Sequence, residues 1–213
     1  MAASPRDFRP GEVIADRCLH WIGLGLAPLA VTVLIWLTRH GDARLVISVL
    51  IYGASLLAMV GCSALYHLSR AAHRKMLFRR LDHAAIFLLI AGTYTPFALN
   101  RIGGYWGAGL LAFVWAVAAS GILFKLLRPD ALKGASVAAY VLLGWSGLAA
   151  IERLMAALST GTLLLLAAGG LLYTAGVLFH LWTRLPYQNA IWHAFVLAGA
   201  ACHYAAVVNV AAL

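Results

Sequence analysis

Along the chain, long apolar runs alternate with short polar breaks, and the runs are too uniform to be single faces of water-soluble amphipathic helices. They extend roughly over residues 18–38, 45–68, 82–99, 102–124, 134–151, 154–182 and 188–213. A helix needs about 20 mostly apolar residues to cross the ~30 Å hydrocarbon layer, and all seven runs approach or exceed that length. The third and fifth are the shortest. The pattern predicts an all-α bundle of seven transmembrane helices. Connections of a few residues leave no space for a soluble unit, so residues 1–213 read as a single integral membrane domain, with residues 1–17 as a polar N-terminal segment.

Composition agrees with this. The chain is 63% hydrophobic and 11% charged, with a mean hydropathy of +0.89, against about 25% charged residues in soluble domains. Residues 1–17 mix acids and bases without a short apolar core, so no cleavable signal is expected and the first span directs insertion. Three cysteines, Cys18, Cys62 and Cys202, form no C-x-x-C pair; neither a disulfide framework nor a cysteine metal site follows, and each reads as a small buried residue.

The net charge of +9 would suggest nucleic acid in a soluble protein, but its distribution points to membrane topology. With loops assigned alternately, twelve of the 16 Lys and Arg fall on the N-terminal side and four on the other. By the positive-inside rule the N-terminus is cytoplasmic and the C-terminus outside, in a multi-pass protein of the cell (inner) membrane. Membrane lipids, and no nucleic acid, are the expected partners. The basic loop 69–80 faces anionic lipid and reads first as a topology signal. Tyr105, Trp106, Trp182 and Tyr187 fit interfacial anchoring.

Ionisable side chains inside spans cost about 2.5–3.5 kcal/mol at a helix centre and persist where they have a partner or a task. Here they gather at one depth: Ser63 and His67 near the end of the second span, Asp82 and His83 at the start of the third, Asn189 and His193 near the start of the seventh, with His20 close by. At 1.5 Å per residue His203 lies about 15 Å beyond His193, too far to share an ion. Spacings of four place Ser63 with His67, Asn189 with His193, and Glu12, Asp16 and His20 on common helix faces. Imidazoles from different helices meeting a carboxylate are the ingredients of a zinc site. Hydrogen-bonded packing histidines are the alternative.

The stretches EVIADRCLHWIG (12–23), SALYH (63–67), RRLDHAAIFLLIAGTYTPF (79–97) and IWHAFVLAGAACHY (191–204) resemble the hemolysin III branch of the progestin and adipoQ receptor family, kin to the adiponectin receptors. The resemblance implies zinc near the cytoplasmic end, with His67 and His193 as metal ligands, and Ser63 and Asp82 as catalytic groups, Asp82 assisting the attacking water. His83 points elsewhere on that reading, and Gly92 and Pro96 loosen the third span. Asn189 stands where the pattern has a third His, and an amide oxygen is a weak zinc ligand. His20, Asp82 and, less readily, His203 are candidates to complete the shell.

Three functions follow as alternatives: a zinc-dependent hydrolase of a membrane lipid amide or ester, a pore-forming cytolytic protein, and a non-catalytic lipid sensor in membrane homeostasis whose metal only holds helices together. Gly103, Gly107 and the glycines at 169, 170 and 176 read as close helix contacts, and His40, His73 and His180 as solvent-facing or interfacial.

Overall fold

The computed structural model describes residues 9–69, 72–128 and 133–212. Arg6 and Arg70 of the charge count lie outside them. The described chain is helical without strands: α1 Pro10–Thr38, α2 Ala43–Leu68, α3 Lys75–Phe97, α4 Gly104–Leu127, α5 Lys133–Trp145, α6 Ile151–Ala157, α7 Thr160–Leu181 and α8 Gln188–Ala211. Seven helical segments are long and apolar enough to cross a membrane, with α3 continued to Ile102 and α5 joined to α6.

α3 begins at Lys75, seven residues before the expected start at 82, and two further boundaries differ from the sequence expectation, each for a local reason. The first span starts at Pro10, not at residue 18, because proline at the first helical position lacks only an N–H that would go unused there. This adds two turns, and with them Glu12 and Asp16, to the helix. The second difference concerns Glu152 and Arg153, which are helical residues of α6 and not a loop. The break falls at Ser159, whose hydroxyl caps α7 by accepting from the Thr162 N–H.

Span five is discontinuous, with a 3-10 segment at Ser146–Ala150 separating α5 from α6. Tyr94 of α3 occupies this break. Its hydroxyl accepts from the Gly147 N–H at 2.7 Å and donates to the Gly144 carbonyl at 2.7 Å. A neighbouring side chain thereby satisfies backbone groups that lipid could not.

Helices in lipid gain little from apolar burial against one another and associate through close packing and hydrogen bonds. At Gly92 on α3 an added Cβ would lie 2.1 Å from Ser55 Oγ, so this glycine sets the close approach of α2 and α3. Pro96 is followed by a π-turn over Ala98–Ile102, and Asn100 covers the Pro96 carbonyl at 2.9 Å. At Gly169 a Cβ would meet the His203 ring at 2.4 Å, which is why α7 and α8 pack tightly. The core joins α1, α2, α3 and α8 around Leu34, Tyr52, Leu56 and Val207. A second cluster around Phe87, Val114 and Leu143 holds α4 and α5 to α3.

Candidate metal centre

The end of the bundle where α1 begins carries most of the arginines and lysines and is called the basic end below. There α1 presents Glu12, Asp16 and His20, four residues apart and all buried. α2 supplies His67 from its last turn, and α8 supplies His193 a little more than one turn from its start.

The Asp16 carboxylate sits among three imidazoles. Its Oδ1 is 2.6 Å from His193 Nδ1. Its Oδ2 is 3.2 Å from His67 Nδ1 and 3.7 Å from His20 Nε2. The three rings are mutually in contact, with centroids 4.5 to 4.7 Å apart. One donor atom from each of Asp16, His20, His67 and His193 lies within 4.8 Å of the others, so the group could hold a metal ion.

Two features suit that role. His20 Nε2 is buried with no hydrogen-bond partner, a state that costs about 1–3 kcal/mol unless something takes up the nitrogen. Donors on a tetrahedral ion at about 2.0–2.1 Å stand about 3.3 Å apart. The separations of 3.2 and 3.7 Å from Asp16 Oδ2 to the His67 and His20 nitrogens bracket this value.

His67 and His193 are thus brought together, and His20 joins them. Ser63 lies one turn before His67 on α2 and hydrogen-bonds Asp82 of α3. Asp82 stands beside this centre without belonging to the four-residue group. The His83 carbonyl accepts from Tyr140. His203 packs on Tyr173 and reaches the Leu166 carbonyl at 3.3 Å, well along α8 from the centre. Asp16 was absent from the expected ligands because its charge ended the apolar run. The signal that could have found it was the 12, 16, 20 spacing. Cys18 is exposed on α1, and Cys62 and Cys202 are half-buried, so none is the fully buried packing residue expected.

Two spaces adjoin the group. A cavity of about 280 Å³ at the basic end is lined by Asp16 and His67 together with Arg17, Tyr66, Lys75 and Asn189. Tyr187, expected only as an interfacial anchor, also borders it and packs over Gly11, where a Cβ would lie 2.9 Å from its hydroxyl. On the other side a narrow slot of about 20 Å³ is bordered by His20, Ser63 and His193 and by apolar residues of α1, α2 and α8.

A family model described as "Haemolysin-III related" matches residues 14–204. Hemolysin-3 of Bacillus cereus is 41% identical over 191 residues, covering 89% of this chain and 87% of that protein. The Hemolysin-3 homolog of Bacillus subtilis (strain 168) is 38% identical over 198 residues, covering 92% and 93%. The human monocyte to macrophage differentiation factor is 31% identical over 163 residues, covering 74% and 67%. With the family model spanning most of the chain and seven helices fit to cross a membrane, this is a multi-pass membrane protein that belongs to the haemolysin-III-related family.

Proposed function

We propose that this protein is a zinc-dependent hydrolase of a membrane lipid amide or ester, with its basic end in the cytoplasm and its C-terminus outside, in the cell (inner) membrane. The observation that carries the proposal is the convergence of Asp16, His20, His67 and His193 below an open cavity and beside the Ser63–Asp82 pair. Three imidazoles and a carboxylate suit zinc. When bound, zinc supplies a Lewis acid that polarises a carbonyl and lowers the pKa of coordinated water to about 7.

The protein's own groups have separable tasks. His20, His67 and His193 hold the ion from two spans near the N-terminus and from the last. Asp16 completes the set in place of Asn189, which lines the same cavity. Ser63 donates to Asp82 and fixes its orientation. The Asp82 carboxylate takes the proton from the attacking water and returns it to the leaving amine or alcohol. The apolar wall of the centre keeps bulk water from the reacting carbonyl.

One observation favours a second reading. Four protein donors fill a tetrahedral shell, and structural zinc sites are closed whereas catalytic ones keep a position open. On this reading the ion clamps α1, α2 and α8 in a lipid sensor. The hydrolase requires Asp16 to yield its position to the reacting oxygen.

Elemental analysis and lipid turnover on one purified sample test both. The hydrolase reading expects stoichiometric zinc and cleavage of amide- or ester-linked acyl lipids that Asp82→Asn abolishes while zinc is retained. Turnover that survives His67→Ala and His193→Ala overturns it. Full zinc without cleavage across a lipid panel favours the clamp. Metal-independent dye leakage from proteoliposomes favours the lytic activity that the names of the Bacillus relatives suggest.

A further inference from the structure

Of the two spaces beside the metal group, one suits the passage of an ion. The slot of about 20 Å³ holds about one water and is walled by Met59, Val60 and Leu197. The cavity of about 280 Å³ has room for an ion with several waters at ~30 Å³ each, and Asp16 and His67 are part of its lining. Its charged lining residues, Glu12, Asp16, Arg17 and Lys75, cancel formally, so net charge does not bar a cation. Glu12, one turn before Asp16 on α1, adds a second carboxylate to the path.

Exposure marks the mouth of this cavity. Among the described residues that line it, Lys75 of α3 and Tyr187 alone are exposed, and the others are half-buried or buried. Tyr187 stands where the α7–α8 connection enters α8, and its ring lies over the first turn of α1. An added Cβ at Gly11 would stand 2.9 Å from the Tyr187 hydroxyl and 3.7 Å from its Cζ, so glycine provides the seat for the ring. The ring therefore reaches from the start of α8 to the start of α1, the two helices that bring Asp16, His20 and His193.

The backbone beneath this ring is held in an uncommon state. With φ 59° and ψ 18°, Tyr187 is the one non-glycine residue in the left-handed region among the described residues. So large a side chain keeps that conformation only where its surroundings impose it, and such residues cluster at ligand clamps and switch regions. Both flanks are fixed here. The Leu185 N–H donates to the Trp182 carbonyl at 3.0 Å, the Gln188 side chain to the His180 carbonyl at 2.7 Å, and the Ile191 N–H to the Tyr187 carbonyl at 2.9 Å. The imposed backbone aims the ring at Gly11, and a change of side-chain rotamer takes it off again without moving either helix.

We infer that Tyr187 is a latch on the metal cavity: seated on Gly11, its ring narrows the mouth through which an ion reaches Asp16, His20, His67 and His193 from the basic end, and turning off Gly11 it opens that mouth. The inference rests on the metal reading above and adds the route of the ion to it. Such a latch sets how fast the ion exchanges and not how tightly it is held, because Tyr187 is not among the four ligating residues.

Stopped-flow transfer of zinc between the purified protein and a zinc-sensitive dye tests this by measuring loading and release separately. Tyr187→Gly removes the ring and suits the left-handed backbone. With the open state the minor one, at about 10% or less, loading and release should both accelerate about tenfold or more in this variant, with affinity unchanged. Tyr187→Phe keeps the ring and should leave both rates as they are. Gly11→Ala unseats the ring and should accelerate both, yet add nothing to Tyr187→Gly. A second readout needs no metal. With the exposed Cys18 removed by Cys18→Ser, Asn189→Cys puts a thiol on the cavity lining, and its labelling by a charged methanethiosulfonate should also accelerate about tenfold with Tyr187→Gly.

Unchanged zinc rates in Tyr187→Gly overturn the latch and leave the metal centre standing. Faster release with unchanged loading also overturns it, since Tyr187 would then help to hold the ion. A wild type that takes up no zinc overturns the metal reading and the ion's route with it. Equal thiol labelling with and without the Tyr187 ring overturns the latch whether or not metal binds.

Discussion

The two ends of the bundle both bury polar side chains, and they use them differently. At the end opposite the basic one, Arg101 donates to the Val210 carbonyl at 2.9 Å, Asn100 to Ser48 at 2.8 Å and Asn209 to Thr162 at 3.1 Å. These are pairwise bonds between different helices, and Arg101 serves the carbonyl end of α8. At the basic end Asp16 touches three imidazoles that also touch one another. A buried nitrogen without a hydrogen-bond partner occurs in both regions, at Arg101 Nε and His20 Nε2. An orphaned atom alone therefore does not mark a site. Convergence of several metal-ligating side chains on one point does, because helix packing alone has no need for it.

The largest effect that would break this contrast comes from removing an imidazole. His67→Ala or His193→Ala is expected to lower metal affinity at least a hundredfold, read by elemental analysis after dialysis. Asn209→Ala at the far end should leave occupancy unchanged. If the two kinds of variant lose metal equally, the distinction between the ends fails.

Next in size is Asp16→Asn, which keeps the shape of the side chain but exchanges a carboxylate for a weak amide ligand. A loss of about 10- to 100-fold in metal affinity is expected. Asn189 borders the same cavity as Asp16. Adding Asn189→His to Asp16→Asn should therefore restore occupancy, whereas Asn189→His alone should change little. Increased occupancy from Asn189→His alone would mean that Asp16 does not fill the shell.

Smaller effects belong to stability. Arg101→Met strips the Val210 carbonyl of its donor and should cost about 1–3 kcal/mol in denaturant unfolding, with metal content intact. Tyr94→Phe removes the hydroxyl from the break in span five, and about 1 kcal/mol is expected by the same measurement. A fall in metal content in either variant would tie that region to the metal group.

Seven spans were legible in the sequence because hydropathy over about 20 residues is a bulk property that no tertiary contact need override. The depth shared by His20, His67 and His193 was legible too, since a helix converts residue number directly into height. Rotation about each helix axis was less so. Asp16 shared a predicted helix face with Glu12 and His20, but that this face turns toward His67 and His193 emerged only with the helix opened at Pro10 and packed against α2 and α8. The discontinuity of span five left no hydropathy signal, because Gly144 and Gly147 are ordinary in membrane helices and the partner that makes the break tolerable, Tyr94, lies 50 and 53 residues away. Asp82 could be placed at the right depth, but its bond to Ser63 depends on the α2–α3 approach that Gly92 allows.

The contact between Asp16 and His193 joins residues 177 positions apart, one from the first span and one from the last. A growing chain that has inserted six spans holds Asp16, His20 and His67 but lacks the wall that α8 brings. An ion held by all four residues would therefore load only after α8 has inserted, and a product truncated before α8 would be distinguished by its inability to retain the ion.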